Sequence, residues 1–200
     1  MNSLKQFIPV LSSVFVNLSE HALYERQRVL VRTGLLKANP GRGPGSGVPL
    51  APETVAMLMI AVLASDNLSE VGAATKILLG GVRIKSPKTR DFLPGVNNLH
   101  AALTRAMNSD DENDRIQRVI VNRTNPSARV YAYKDPSQPV LFVSSAKSGG
   151  NFSVESSFHG DTFVELRQIM SRSEPMTVAQ QRLVQNRLAK LDLTREEGTK

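Results

Sequence analysis

An α+β fold is predicted on three observations. From residue 3 to about residue 108, apolar side chains recur at helical spacing. From Arg115 to His159 the apolar runs become β-branched and aromatic, separated by turn dipeptides. The two regions meet at an acidic, turn-forming stretch, Asn108-Ser109-Asp110-Asp111-Glu112-Asn113-Asp114. The expected organisation is a helical module over residues 1–108, a small antiparallel sheet with one covering helix over 115–174, and a helical tail over 175–200. Two hundred residues, 40% hydrophobic and 22% charged, suffice for one substantial core or two small ones.

The elements follow in order. Leu4, Phe7, Ile8, Leu11, Val14, Phe15 and Leu18 recur as i, i+3, i+4, i+7, which predicts a first helix. Pro9 either kinks that helix or moves its start to about residue 8. Ser19 caps a second helix, Glu20 to Thr33, with Leu23, Leu30 and Val31 inward and Glu25, Arg26, Arg28 and Arg32 outward. Gly34 stops it. Asn39 to Val48 holds four glycines and two prolines, so it is a turn or flap held between helices. Pro52 and Glu53 open a helix whose stretch Val55 to Ala64 is nearly all apolar, the signature of a central core helix. Leu68 to Leu79 forms a further helix closed by Gly80-Gly81, and a basic connector runs from Val82 to Arg90. Thr89 is the expected cap of a fifth helix bearing Phe92, Leu93, Val96, Leu99, Leu103 and Met107.

Four strands are predicted at Arg115 to Arg123, Ala128 to Lys134, Pro139 to Ala146 and Asn151 to His159. In the last, Phe152, Val154, Ser156 and Phe158 alternate with polar neighbours and give one buried face. A helix from Asp161 or Thr162 to Met170 covers the sheet. Thr177 to Gln180 has a capping-box pattern, and the narrow stripe Leu183, Val184, Leu188, Leu191 predicts a tail helix that packs on the same chain or on a partner.

Composition narrows the functional classes. With no cysteine, there is no disulfide, thiolate metal site or cysteine nucleophile. The longest apolar stretch falls short of the roughly 20 residues of a membrane helix, and no signal-peptide pattern opens the sequence, so a cytoplasmic, non-membrane protein is expected. Aromatic residues are 5% with no Trp, a poor supply of stacking platforms for single strands, whereas duplex binding needs none. The net charge is +7, and residues 1–90 hold eleven Lys/Arg against five Asp/Glu. A positive field concentrated on the first module favours a polyanionic partner, because neutralised phosphates release counterions.

Enzyme and metal patterns are absent from the sequence. His21, His100 and His159 are isolated, and the acidic run lacks EF-hand spacing. The loop Gly41-Arg42-Gly43-Pro44-Gly45-Ser46-Gly47 lacks the Lys-Ser/Thr pair and the preceding strand of a P-loop. Ser46, Ser144, Ser145 and Ser148 lie in turns without a nucleophile elbow. No catalytic residue, metal or cofactor is expected.

Between residues 18 and 80 the order of elements resembles the winged-helix domain of MerR-like regulators. The residues concerned are Leu23-Tyr24-Glu25-Arg26, Gly34-Leu35-Leu36, the loop with Arg42, Leu50-Ala51-Pro52-Glu53-Thr54-Val55, and Asn67-Leu68-Ser69-Glu70-Val71 before Leu78-Leu79. The Gly-Leu-Leu and Gly-Arg-Gly pattern is also similar to that of uncharacterised phage and proteobacterial proteins. The first resemblance implies a helical, winged-helix-like module that touches DNA through the helix of Arg26 and Arg28 and through the loop at Arg42. Adding the neighbouring cations gives an expected contact set of Arg26, Arg28, Arg32, Lys37, Arg42, Arg83, Lys85, Lys88 and Arg90. The expected function is duplex DNA binding by a bacterial or phage transcription regulator, oligomeric through the β module or the tail. Two alternatives stand beside it. One is a phage DNA-packaging component similar to small terminase subunits. The other is a protein-interaction module whose basic face meets an acidic protein or whose sheet edge pairs with a partner strand.

Overall fold

The computed structural model describes residues 3–15, 18–41, 46–84, 93–144 and 153–171. The helical half comprises α1 (Leu4–Val14), α2 (Glu20–Arg32), α3 (Pro52–Ala64), α4 (Val71–Leu79) and α5 (Leu99–Asn108). Five strands follow or interleave: β1 (Val82–Ile84), β2 (Ile116–Asn122), β3 (Ser127–Ala132), β4 (Val140–Val143) and β5 (Glu155–His159), with α6 (Gly160–Ser171) last. The α+β class is as the sequence predicts.

Local chemistry sets the starts of α1, α2 and α3 and the end of α2. Ser3 accepts from the Gln6 amide at the start of α1, which runs straight through Pro9 rather than starting after it. Ser19 accepts from Ala22 N–H at the start of α2. Beyond α2, Gly34 at φ 76° lets the amides of Leu35 and Leu36 turn back onto the Leu30 carbonyl, which satisfies orphan acceptors and buries Leu36. In α3 every residue from Val55 to Ala61 is buried, as are Leu63 and Ala64, so this is the central core helix the apolar run predicts. Thr54 Oγ1 accepts from Ala51 N–H at its start.

Several boundaries differ from expectation, among them the start of α4, at Val71 rather than Leu68. The fifth helix starts at Leu99, capped by Asn98 through Ala101 N–H, because Gly95 at φ 77° turns the chain after Pro94. The expected cap, Thr89, lies outside the described residues. The segment read as a basic connector opens with a strand, β1, which pairs antiparallel with β4 through Val82↔Val143, Arg83↔Phe142 and Ile84↔Leu141.

The sheet is antiparallel throughout, in the order β1-β4-β3-β2-β5. Its inner face carries Phe142, Ala128, Val130, Val119 and Val121, all buried against the helices. Phe158 of β5 stacks on Phe15 at the end of α1 with ring centroids 4.8 Å apart, and α6 seals the layer with Phe163, Leu166 and Ile169. One apolar cluster thus runs from Leu4 through α3 to Ile169 without a break. The acidic turn expected to separate two modules is a stitched corner within it. Asp114 is buried and pairs with Arg105 at 2.9 Å, Arg167 bridges to Asp110 at 3.2 Å, and Lys134 reaches Glu112 at 3.6 Å.

Candidate nucleic-acid interface

The Gly-rich loop leaves the core as a closed neck. Asn39 and Gly47 exchange both backbone hydrogen bonds, each 2.9 Å, and Leu4 N–H donates to Val48 C=O, fastening the outgoing limb to α1. Gly41 and Gly47 adopt φ of 121° and 89°, conformations that side chains rarely tolerate, which explains the glycines at the neck. Arg42 lies outside the described residues.

A cleft of about 570 Å³ lies along α2, bounded by the loop base at Ala38, Gly47 and Val48 and by the α3–α4 turn at Leu68 and Ser69. Arg28 and Arg32 stand on α2 along this cleft, and Lys37 follows just beyond the Gly34 stop; all three are exposed. Arg28 donates to both Glu25 carboxylate oxygens, at 2.9 and 3.3 Å, and this bond raises its pKa further. An exposed pair one helical turn apart is weak and easily exchanged for another anion. Arg32 and Lys37 have no ion pair among the described residues.

Two members of the expected contact set have structural tasks instead. Arg26 is buried, 4% exposed, with its guanidinium turned inward to the carbonyls of Ala22 (3.2 Å), Ser65 (3.4 Å) and Asp66 (3.2 Å). Burial lowers its pKa, while Asp66 opposes that shift and Arg123 adds to it. The helix register accounts for the correction: Leu23, Arg26, Gln27 and Leu30 follow i, i+3, i+4, i+7 and all four are buried. Arg83 belongs to β1, where its Nη1 donates to the carbonyls of Leu93 (2.6 Å) and Val96 (3.2 Å) and pins the turn before α5. Its backbone N–H is taken by Asn97 C=O at 3.3 Å, so this amide of the sheet edge is already covered. Lys85, Lys88 and Arg90 lie outside the described residues.

An unforeseen cluster sits at the C-terminal end of α3, where backbone carbonyls present partial negative charge. Arg123, just after β2, donates to the Leu63 carbonyl (2.8 Å), the Val62 carbonyl (3.3 Å) and both oxygens of Asp66; Ser156 Oγ adds a 2.6 Å bond to Leu63 C=O. The hydrogen bond from Arg123 holds the Asp66 carboxyl below its ordinary range against a smaller desolvation effect. With Arg26 on the other side, two guanidiniums cap one helix and tie it to both α2 and the sheet. No metal-ligating group of three or more His, Cys, Asp or Glu occurs among the described residues, and no described helix is long and apolar enough to cross a membrane.

The chain matches no protein-family model, no curated protein and no solved structure.

Proposed function

We propose that this chain is a DNA-binding protein, in its simplest role a transcription regulator of a bacterium or phage, which meets duplex DNA through the exposed flank of α2 and the Gly-rich loop. The observation that carries the reading is the placement of Arg28, Arg32 and Lys37, all exposed, with Arg28 and Arg32 one helical turn apart on α2 and beside a loop base fixed by the Asn39–Gly47 pair. Glycines at the neck allow backbone to approach phosphate, and the arginines supply bidentate donors to phosphate oxygens. The net charge of +7, concentrated in the first 90 residues, supports the same reading.

The test is fluorescence anisotropy of a labelled random duplex titrated with the full chain at rising salt. Three phosphate contacts predict an affinity loss of about fortyfold between 50 and 200 mM salt. No binding at 50 mM, or an affinity that ignores salt, refutes the proposal.

A further inference from the structure

The cleft beside α2 offers more than a phosphate backbone uses. Val48 on its floor is buried, while Val31, Leu68 and Tyr24 are half-buried, so a flat apolar body can cover them. Gln27 forms part of the wall; it is 7% exposed, and its Oε1 is buried with no hydrogen-bond partner in the structure. The Gln27 amide lines the cleft, and rotation about its last side-chain torsion presents either its oxygen or its NH₂ to a base edge. Arg32 supplies an exposed cation on the same cleft.

From this combination we infer that the cleft is a site for a nucleoside monophosphate, with the base on the apolar floor, the base edge on Gln27 and the phosphate on Arg32, and that the bound nucleotide competes with DNA. The volume, about 570 Å³, falls within the roughly 300–1,000 Å³ of small-ligand sites. Arg32, with no ion pair among the described residues, suits one phosphate, and Arg28 one turn away on the same cleft can exchange Glu25 for a second oxygen of that phosphate. Bare phosphate leaves the apolar floor uncovered, and an uncharged nucleoside leaves Arg32 unused. Only the competition rests on the DNA-binding reading; the ligand site stands or falls separately.

Calorimetric titration of the full chain with dAMP, inorganic phosphate and deoxyadenosine tests the site. The expected result is dAMP binding about tenfold or more tighter than either fragment. Arg32→Ala, a surface change that leaves the fold intact, lowers dAMP affinity by about tenfold, the loss of one charge-assisted contact. Gln27→Leu reduces dAMP to the level of phosphate; if that variant fails to fold, Arg32→Ala alone decides. dAMP that binds no better than phosphate, or equally well to Arg32→Ala, overturns the inference. Duplex binding without dAMP binding overturns it and leaves the proposed function standing. dAMP binding without duplex binding at low salt does the reverse. dAMP that binds but fails to displace labelled duplex refutes the competition.

Discussion

Replacing Arg26 by Met separates a structural strut from a DNA contact. The substitution keeps the aliphatic stem and removes three donated hydrogen bonds, to Ala22, Ser65 and Asp66, at 3.2 to 3.4 Å. Bonds from a charged donor are worth about 1.5–3 kcal/mol each when short, and these are long, so the low end applies. The desolvation that depresses the Arg26 pKa offsets part of the gain, as burying a charge does in general. Two acceptors at the end of α3 lose a donor, although Arg123 still holds the neighbouring turn. The expected net loss is about 2 kcal/mol, which for a chain of this size lowers Tm by about 4–8 °C. Far-UV circular dichroism melts measure the loss, and duplex affinity at 10 °C should change by less than about twofold, as for a residue outside the interface. A variant with the original Tm that has lost DNA binding would refute the buried placement of Arg26 and the reasoning built on it.

Four further outcomes follow from the same coordinates. Gly160→Ala places a Cβ 1.9 Å from the Ile116 carbonyl oxygen, a backbone atom that cannot swing away, so stability should fall by about 3 kcal/mol or more in a denaturant titration. Burial, and then Asp161, raises the pKa of Glu165. Because the folded value lies above the unfolded one, the ionised form opposes folding and stability is lost as pH rises through the unfolded value, about 4.3, to the folded value. Glu165→Gln should therefore stabilise the fold at pH 7 by no more than about 1 kcal/mol after solvent screening, read as a raised Tm, and change nothing at pH 3. Asp66 has the opposite sign. Its lowered pKa gives stability that is present above about pH 4 and disappears as pH falls through the folded value, so Asp66→Asn should cost under about 1 kcal/mol at pH 7, and that cost should shrink as pH is lowered below about 4. Glu25→Gln releases Arg28 and removes a like charge from the phosphate path, so duplex affinity should rise by about threefold at low salt; a fall would show that Glu25 supports binding.

The parts of the fold legible in the sequence are those carried by local pattern. The first four helices follow from apolar spacing, the Ser19 cap, Pro52 at the start of α3 and the Gly34 stop; the four later strands follow from alternation and turn dipeptides. What escaped was set by distant partners. β1 is three residues long inside a basic run, and its alternation of Val82 and Ile84 about Arg83 gains meaning only from β4, some sixty residues on. The acidic stretch reports a turn, but whether a turn divides two cores or joins one depends on Arg105 and Arg167, which no local window contains. At the site, Arg26 was legible, because its position three after Leu23 and four before Leu30 places it on the buried stripe. Arg123 and Asp66 had no sequence signal, since capping α3 requires the sheet to be in place first. Gln27 shares the stripe of Arg26, and its place in the wall of a cleft appears only once the loop base is packed beside α2.

The central claim is that exposed cations beside the Gly-rich loop grip nucleic acid. Its most direct test is the salt slope of duplex binding for the unaltered chain beside Arg32→Ala with Lys37→Ala. Loss of two phosphate contacts predicts a slope of log K against log salt shallower by about 1.8, with an unchanged melting temperature. An identical slope in the folded double variant would contradict the account.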